Sequence, residues 1–483
     1  MILNYHLMHP GADSMPGDPN AAYCLDGVYH LHYILAHPWK DGKSFSFVHV
    51  TSSDMLHWTW QTTKLQPSFT GHGMFSGTGF LTKEGVPAVI YHGQGSGRNQ
   101  IAFAKDRHLS EWEPPYPIEV HHPDGSDAEL KKHWDPDCFL IGDTYYAISG
   151  GVKPPLFKST DLQNWTLVGD FLRHDLPDTM IGEDISCPNF FSLGEKWMLL
   201  CISHPRGCRY YIGDWDVEAE MFIPETHGRM NGRRDEQPVY GLFQRTDFFA
   251  PESVLTPDGR RVMWAWLTSV GPDDAVLNKT IQSLPRELSL PADGILRIKP
   301  LRELEAQRFD HVTLDDVVIA HPITGHRDNV PPTDAPALQN IVELDGDAYE
   351  FCIVISREQA LRKLFGFVLF ADQDGRGLSI MLRPDAGTLR VGTTEAPFAV
   401  ADLPDGEDVE LRIFVDKYLV EVFANSRQAV LTAHMDYSKK HRLDAFSVGE
   451  KTAIKKIEIW KLKPTNQGFF DAQINPIWHP ERQ

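Results

Sequence analysis

A glycine-led turn followed by a β-rich run recurs five times in the N-terminal part of the chain. Each copy combines turn chemistry with β-branched and aromatic residues, which is typical of a hairpin entering a strand. Repeats of about 50 to 65 residues, each with room for four short strands, predict a five-bladed β-propeller over residues 1–300 rather than an irregular β-sandwich. The five copies begin Gly27-Val-Tyr-His-Leu-His-Tyr, Gly85-Val-Pro-Ala-Val-Ile-Tyr, Gly142-Asp-Thr-Tyr-Tyr-Ala-Ile, Gly194-Glu-Lys-Trp-Met-Leu-Leu and Gly259-Arg-Arg-Val-Met-Trp-Ala.

A second motif repeats in phase with these hairpins. The segment beginning Ser53-Asp54 and ending Trp58-Thr resembles the one beginning Ser159-Thr-Asp161 and ending Trp-Thr, and each follows one of the predicted strands. Aspartate side chains in such positions hydrogen-bond the backbone two residues on and form turns. We interpret Asp54 and Asp161 as turn formers, because the motif recurs where no pocket is expected.

The pattern changes after residue 300. Segments such as Tyr349-Glu-Phe-Cys-Ile-Val-Ile alternate polar and apolar residues, and period-two alternation indicates a sheet with one buried face. We therefore expect a C-terminal β-sandwich over residues 310–464, which makes the fold all-β. Residues 411–423 show no cluster of exposed aromatics suited to sugar stacking, so the sandwich is interpreted as a brace for the propeller rather than a lectin-like module. Residues 465–483 are expected to form a C-terminal extension.

Length and charge restrict the class of protein. The 483 residues exceed the size at which one hydrophobic core stops growing, so two domains are expected. The formal net charge of -20 repels phosphate backbones and anionic lipid, and neither nucleic acid nor a membrane is expected as a partner. No run of about 18 apolar residues is present and the first residues lack a secretory pattern, so a cytoplasmic protein is expected.

Acidic residues gather at one position of the predicted blades. The first strand of a propeller blade lines the central channel, so residues just upstream of each glycine-led hairpin should face the cavity. Acids occupy this position in four of the five blades. The selected segments are Gly17-Asp18-Pro19-Asn20, Phe75-Ser76-Gly77, Trp134-Asp135-Pro136-Asp137, Gly182-Glu183-Asp184-Ile185-Ser186-Cys187-Pro188 and Asp247-Phe-Phe-Ala-Pro-Glu252.

Carboxylates that converge on one pocket fit the hydrolysis of a glycosidic bond. Their mutual repulsion is tolerated mainly where it tunes pKa values for chemistry or binds a cation. Hydrolysis needs one ionised carboxylate to attack the anomeric carbon and one protonated acid to donate to the leaving oxygen. Taken singly, Asp18 or Asp135 before a proline is more often a turn cap. Their common phase on the inner strands favours the catalytic interpretation.

The same residues resemble glycoside hydrolase family 32, the group of invertases, levanases and inulinases, over nearly the whole chain. Residues 6–20, His6-Leu-Met-His-Pro with Met15-Pro-Gly-Asp-Pro-Asn, are similar to the family's opening motif Trp-Met-Asn-Asp-Pro-Asn-Gly. The resemblance implies that Asp18 is the nucleophile. Phe75-Ser-Gly is similar to the family's Phe-Ser-Gly segment, and Trp134-Asp135-Pro to its Arg-Asp-Pro motif, which implies that Asp135 stabilises the transition state.

Three positions near these motifs depart from the family's pattern. Gly17 stands where the family has Asn, Ala21 where it has Gly, and Trp134 where it has Arg. An arginine fork binds hydroxyl or carboxylate groups bidentately, whereas a tryptophan offers a stacking face. The group recognised near the scissile bond is therefore expected to differ.

A fourth departure concerns the proton donor. The family places a Glu directly before Cys-Pro, whereas Ser186 precedes Cys187-Pro here, and a serine cannot act as the acid at neutral pH. Glu183 is our first choice, because a local bulge would bring its longer side chain to the acid's place. Asp184 is the second choice, since it shares strand parity with Ser186. Loss or relocation of the acid is the third possibility.

The sequence thus predicts a retaining hydrolase that releases fructose from β-fructofuranosides, with no cofactor or metal. A fructosyltransferase forming oligosaccharides or a difructose anhydride is the enzymatic alternative, and an arabinofuranosidase resembling family 43 would not explain the Phe-Ser-Gly and sandwich motifs. A non-catalytic carbohydrate-binding propeller is the alternative from another class. The catalytic residues are predicted to be Asp18, Asp135 and Glu183, and the substrate-binding residues Asn20, Trp39, Phe75, Ser76, His92, Trp134 and Asp184.

Overall fold

The computed structural model describes most of the chain as two β-rich units. The described residues are 2–11, 16–128, 134–176, 179, 182–234, 248–267, 280–320, 338–373, 375–433, 437, 442–448 and 450–481.

Five antiparallel sheets form the first unit, and each begins with the glycine-led hairpin. Blade 1 is β1 (Pro19–Leu25), β2 (Val28–Trp39), β3 (Gly42–Ser52) and β4 (Thr59–Trp60), and blade 2 is β5 (Met74–Leu81), β6 (Pro87–Gly93), β7 (Asn99–Phe103) and β8 (Tyr116–Pro117). Blade 3 is β10 (Pro136–Ile141), β11 (Thr144–Ser149), β12 (Pro155–Ser159) and β13 (Trp165–Asp170), with β9 (Val120–His121) added in parallel at its outer edge. Blade 4 is β14 (Ser186–Leu193), β15 (Lys196–Ser203), β16 (Gly207–Asp216) and β17 (Met221–Arg229), and blade 5 is β19 (Phe249–Leu255), β20 (Arg261–Trp266), β21 (Arg286–Ser289) and β22 (Arg297–Pro300).

The first strands of the five blades close into a ring. Strand β1 neighbours β5, β5 neighbours β10, β10 neighbours β14, β14 neighbours β19, and β19 returns to β1. All five repeat glycines lie in the turn from the first to the second strand and have φ between 58° and 83°, a conformation that costs other residues more. The predicted five-bladed propeller is confirmed, and the hairpin turns are where the repeats placed them.

The first strands of blades 1, 2, 4 and 5 each carry a β-bulge near their N-terminal end. The pairing register shifts between Asn20 and Tyr23, Met74 and Gly77, Ser186 and Asn189, and Phe249 and Pro251. Within these bulges Ala21, Cys187 and Ala250 have positive φ. Bulges re-aim side chains, and they concentrate here at one end of the channel.

Two further sheets pack face to face as a sandwich around a separate apolar core. The seven-stranded sheet has the order β18 (Arg233–Arg234), β29 (Thr394–Pro397), β28 (Thr388–Val391), β27 (Leu378–Arg383), β26 (Leu364–Ala371), β33 (Arg442–Val448) and β24 (Gln339–Glu343). The six-stranded sheet has the order β23 (Arg308–Ile319), β34 (Thr452–Leu462), β25 (Ala348–Ile355), β30 (Val409–Asp416), β31 (Leu419–Ala424) and β32 (Gln428–Ala433). The predicted sandwich is confirmed, and β18 reaches it from the segment between blades 4 and 5.

A buried ionic cluster joins the two units. The His6 ring contacts Asp416 through Nδ1 at 2.9 Å and Glu421 through Nε2 at 3.3 Å. Arg286 of blade 5 donates from Nη2 to Glu421 Oε2 at 2.9 Å, and all four side chains are almost fully buried. The cluster therefore links the N-terminal segment, the propeller and the sandwich.

The C-terminal extension packs back on the propeller. Helix α3 (Gln467–Ile474) places Phe469 against Trp60 of blade 1, and Trp478 lies 4.5 Å from the His9 ring. The other helical segments within the described ranges are short: α1 (Pro67–Thr70), α2 (Arg357–Arg362) and the 3-10 turns Arg302–Gln307 and Val400–Asp402. None of the helices in the described ranges has the length and apolar character needed to cross a bilayer.

Candidate active site

Asp18 lies at the bulged end of the channel, one residue before β1. Its backbone carbonyl accepts a hydrogen bond from Ile34 at 3.0 Å, which extends the β1–β2 ladder and fixes the residue. The side chain is buried, and Oδ2 accepts a hydrogen bond from the Ser76 hydroxyl at 2.9 Å. Oδ1 is buried without a hydrogen-bond partner among the described residues. One carboxylate oxygen is thus anchored and the other has unused acceptor capacity.

Asn20 braces the two strands that carry Asp18 and Ser76. Its Nδ2 donates to the Asp18 carbonyl at 2.6 Å, and its Oδ1 accepts from the Gly77 amide at 2.8 Å. The residue is buried, so both ends of its amide are used within the protein. Its predicted substrate contact stays a prediction, whereas its positioning of Asp18 is visible in the geometry.

Cys187 connects this pair to Asp135. The Cys187 sulfur lies 3.5 Å from the Ser76 hydroxyl and 3.5 Å from Asp135 Oδ2, and the Cys187 amide donates to the same Oδ2 at 3.1 Å. The bulge that gives Cys187 its positive φ aims both groups inward. Asp18, Ser76, Cys187 and Asp135 therefore form one continuous cluster across blades 1 to 4.

Both carboxylates of the cluster hold their protons more tightly than usual. The pKa of Asp18 is raised to about 7, chiefly by burial; the Ser76 hydrogen bond opposes the shift and the charge of Asp135 adds to it. Burial also raises the pKa of Asp135, against the hydrogen bonds from Cys187. Such shifts concentrate at sites where carboxylates do chemistry.

An aromatic wall runs from blade 1 to blade 3 beside the cluster. The Phe75 ring lies 4.8 Å from Phe45 and 6.1 Å from His92, and His92 lies 5.9 Å from Trp134. Trp134 is 43% exposed, and its indole donates to the Ser186 hydroxyl at 3.2 Å. The structure thus brings together three of the predicted substrate-binding residues, Phe75, His92 and Trp134.

Trp39 lies further from the cluster than these rings. Strand β2 continues five residues beyond Ile34, the partner of Asp18, and ends at Trp39, which is about 17 Å of extended chain. The Lys40 ammonium lies 3.9 Å from the Trp39 ring centroid. Trp39 therefore lies on the projecting hairpin at the Asp18 end of blade 1, and its contact with substrate stays a prediction.

A second aromatic wall belongs to blades 4 and 5. The His204 ring lies 5.8 Å from Phe249, and Phe249 lies 6.3 Å from Trp266. A Cβ added at Gly17 would lie 2.9 Å from Trp266 Cδ1 and 2.6 Å from a Thr280 methyl group. Glycine at position 17 is thus required by close packing beside the residue that precedes Asp18.

Asp184 lies on the same side of its segment as Ser186 and holds His204. Ser186 donates to Asp184 Oδ2 at 2.9 Å, and the other contacts come from His204, whose amide lies 2.9 Å from Oδ1 and whose Nδ1 lies 2.6 Å from Oδ2. Although burial opposes the shift, the hydrogen bonds from His204 lower the pKa of Asp184. The hydrogen bond to Asp184 in turn raises the pKa of His204, and the charges of Asp135 and Asp18 add to this rise.

Glu183 lies on the opposite side of that segment. Its Oε1 is 3.1 Å from Arg209 Nη1 and 3.5 Å from the Tyr211 hydroxyl, both on β16. The bulge of β14 falls at Cys187, after Ser186, so it does not redirect Glu183. The described contacts hold this carboxylate against β16 rather than against Asp18 or Asp135. Its role as the proton donor stays a prediction.

Three groups at the site were missed by sequence reasoning. The sequence gives Cys187 only as part of the segment from Gly182 to Pro188, and it predicts no role for Trp266 or His204. The available signal for His204 is its place directly after the second strand of blade 4, which is comparable to that of His92 near the end of the second strand of blade 2. Asp247 and Met15 of the quoted motifs lie outside the described residues.

A propeller with buried carboxylates at one end of its channel, set between two aromatic walls, defines a carbohydrate-cleaving enzyme. Among the residues with described positions, no group of three or more His, Cys, Asp or Glu side chains is arranged to hold a metal. The chain belongs to glycosyl hydrolases family 32: the model of the family's N-terminal domain matches residues 9–300 and that of its C-terminal domain matches residues 323–461. It is a glycoside hydrolase.

Named relatives and solved structures agree with this assignment. The chain is 28% identical to a raffinose invertase of Escherichia coli, over 89% of this chain and 88% of the relative. It is 25% identical to a fructan 6-exohydrolase of Beta vulgaris, over 98% of this chain and 87% of the relative. The fold matches fructan 1-exohydrolase IIa from Cichorium intybus with a TM-score of 0.71 at 20% identity, covering 96% of this chain and 97% of that one.

Proposed function

We propose that the protein hydrolyses terminal β-fructofuranosyl bonds with retention of configuration and that Asp18 is the nucleophile. The observation that carries the proposal is the asymmetry of the Asp18 carboxylate. Oδ2 is fixed by Ser76, whereas the buried Oδ1 has no partner among the described residues. A buried acceptor without a partner is costly, and such groups are retained where chemistry uses them.

The reaction proceeds by two displacements at the anomeric carbon. Ionised Asp18 attacks C2 of the fructosyl unit while the leaving oxygen is protonated, and a covalent fructosyl ester forms on the carboxylate. Water then attacks C2, the ester bond breaks, and fructose leaves with its original configuration. Two inversions at one carbon give net retention.

Asp135 stabilises the charge that develops between these steps. It is fixed by the Cys187 amide and sulfur, so its carboxylate does not need to reorganise as the oxocarbenium-like transition state forms. The pKa of Asp135 is raised by burial, which indicates a site of low polarity. In such a site a negative charge interacts strongly with the positive charge that develops on the substrate. The aromatic wall that contains Phe75, His92 and Trp134 supplies faces for the fructosyl ring and the leaving sugar.

The substrate class follows from the relatives and the charge of the site. The raffinose invertase and the two fructan exohydrolases named above are similar to this chain along most of its length. Neutral sugars fit a site whose two central groups are carboxylates. Sucrose, fructo-oligosaccharides and fructans are therefore the proposed substrates.

A product screen tests the proposal. Purified protein is incubated with sucrose, inulin, levan and short fructosides, and free fructose, longer oligosaccharides and difructose anhydrides are quantified separately. Free fructose as the main product is expected. A predominance of transfer products would instead support the fructosyltransferase alternative. Sugar binding without turnover would support the binding-module alternative.

A further inference from the structure

The position that carries the family's acid is a serine here, and a histidine lies near it through Asp184. Ser186 donates to Asp184, and Asp184 in turn holds the His204 ring at 2.6 Å. The imidazole is therefore two hydrogen bonds from the Ser186 hydroxyl. A histidine can both donate and accept a proton near neutral pH, which a serine cannot.

Charge and exposure place the His204 ring in the site rather than in the core. Its positive charge lowers the pKa of both Asp18 and Asp135, so it lies within electrostatic reach of both carboxylates. The His204 side chain is 45% exposed, whereas the Asp184 side chain is 18% exposed. The Phe249 ring flanks the imidazole, and the Trp266 ring lies next to Phe249. Trp266 in turn packs close to Gly17, the residue before Asp18. The imidazole thus belongs to the second aromatic wall, with Phe249 and Trp266.

Asp184 determines which ring nitrogen is available. Its Oδ2 holds Nδ1, so the proton of the neutral ring stays on Nδ1 and the lone pair is on Nε2. Nε2 has no hydrogen-bond partner among the described residues. The arrangement is that of a general acid/base oriented by a carboxylate.

We propose that His204 is the acid/base of this hydrolase and that Asp184 positions it, an inference that rests on the fructoside hydrolysis proposed above. In the first step Nε2–H gives its proton to the glycosidic oxygen as the bond from C2 to that oxygen breaks and the bond from C2 to Asp18 forms. In the second step Nε2 takes a proton from water as the water oxygen bonds to C2 and the ester breaks. The imidazole regains its proton, and no other reactant is consumed.

The proposal is tested by comparing substrates with poor and good leaving groups. His204→Ala and His204→Gln are assayed on the fructoside that the wild type hydrolyses fastest and on β-D-fructofuranosyl fluoride, which needs little protonation. We expect kcat/KM for the natural fructoside to fall by roughly 10²- to 10⁴-fold, with a far smaller loss for the fluoride. Azide should restore turnover of the fluoride and give a fructosyl azide of retained configuration, because azide needs no base in the second step.

The pH profile separates chemistry from structure. Among the residues with described positions, the charged groups that act on His204 are Asp184, Asp135 and Asp18. The alkaline limb of kcat/KM should disappear in His204→Ala, and it should move to lower pH in Asp184→Asn because the hydrogen bond that raises the pKa of His204 is lost. A lesion that only loosens the fold would lower activity at every pH and for both substrates alike.

The controls use a second aspartate–histidine pair and the rival acid. His57 contacts Asp54 through Nδ1 at 2.7 Å on an exposed turn, and His57→Ala should leave all parameters unchanged. Glu183→Gln tests the first choice from the sequence. Wild-type activity of both His204 variants, or a leaving-group-dependent loss in Glu183→Gln alone, would overturn the His204 assignment and leave fructoside hydrolysis standing. A wild type that cleaves neither substrate would overturn both proposals.

Discussion

As the proposed nucleophile, Asp18 must act as an anion in a site that favours its neutral form. Burial and the charge of Asp135 hold its pKa near neutrality, at about 7, and the hydroxyl of Ser76 and the charge of His204 act in the opposite direction. The nucleophile must be ionised to attack. The acid limb of the pH profile should therefore report the Asp18 environment directly.

Removal of the Ser76 hydroxyl should shift that limb. Because this hydrogen bond lowers the pKa of Asp18, Ser76→Ala should raise the pKa and move the acid limb of kcat/KM to higher pH. The exposed Ser126→Ala is the control. An acid limb that stays in place in Ser76→Ala would show that Asp18 does not govern it.

A substitution at Gly17 tests whether close packing, rather than a need for backbone freedom, requires a glycine beside the nucleophile. In Gly17→Ala the new methyl group would displace Trp266 or Thr280, with an expected loss of roughly 1–3 kcal/mol in the free energy of unfolding and a lower kcat. Gly42→Ala is the matched control, because a Cβ there meets nothing within 4 Å. Equal stability of the two variants, measured by denaturant unfolding, would contradict this explanation.

The sequence predicted Asp18 and Asp135 together because both stand one residue before an inner strand. For the donor it gave Glu183 as the first choice and Asp184 as the second, because the side that each residue faces depends on the position of the bulge, which the sequence does not fix. A bulge before Ser186 would have favoured Glu183, whereas the bulge at Cys187 leaves Asp184 on the site's side. His204 follows the hairpin of β14 and β15, and the pairing of these strands brings it beside Asp184.

At the scale of elements, local turn chemistry explains why the blades were predictable. Asp54 and Asp161 accept backbone hydrogen bonds two and three residues on, as the repeated motif predicted. A related turn lies between the last two strands of blade 2, in which Asp106 accepts a hydrogen bond from the His108 amide two residues on and further ones from the Ser110 and Glu111 amides. Its serine and spacing differ, so the pattern was weaker in sequence than in the backbone.

Blade 1 contains a stack of three histidines that constrains the pH range of the fold. His32 stacks on His49 at 4.4 Å, and His30 Nδ1 lies 3.0 Å from His49 Nε2. Burial lowers the pKa of His30 and of His32 to about 4 and that of His49 well below 6.5. The hydrogen bond between His30 and His49 needs one ring nitrogen as an acceptor, and burial disfavours the charged form of all three rings. Both conditions require neutral rings.

The stack should make the protein less stable in mild acid. The unfolded chain binds protons at about pH 6.5 and the folded one only near pH 4, so the free energy of unfolding should fall as pH decreases across this window. His49→Phe keeps an aromatic ring without a titrating group and should weaken the dependence, whereas the exposed His108→Phe should not. Parallel stability curves for wild type and His49→Phe would refute the role of the stack.

At the scale of the whole molecule, the propeller and sandwich share a cluster of two positive and two negative groups. Burial opposes protonation of His6, but the hydrogen bonds that its ring donates to Asp416 and Glu421 raise its pKa to about 9. His6 and Arg286 together balance the two carboxylates. None of these contacts was predictable from the repeats, because the partners lie more than a hundred residues apart.

Loss of His6 should uncouple the two units. His6→Leu leaves Asp416 and Glu421 buried with one cation, and a loss of roughly 3–5 kcal/mol in the free energy of unfolding is expected at pH 7. Because the folded pKa exceeds the ordinary 6.5, the contribution of His6 is complete below pH 6.5 and declines as pH rises through about 9. The stability gap between wild type and variant should therefore narrow by pH 10. The exposed His311→Leu is the control, and a gap that is small at pH 7 or independent of pH would contradict the cluster's role.

The stereochemistry of transfer to methanol tests retaining hydrolysis through Asp18 most directly. Methanol traps the fructosyl group as a stable methyl fructofuranoside, whose configuration NMR assigns without interference from mutarotation. Wild type should give the methyl β-fructofuranoside, and Asp18→Asn, with an unchanged melting temperature, should lose turnover by about three orders of magnitude or more. The methyl α-fructofuranoside, or wild-type turnover in Asp18→Asn, would contradict Asp18 as the nucleophile of a retaining enzyme.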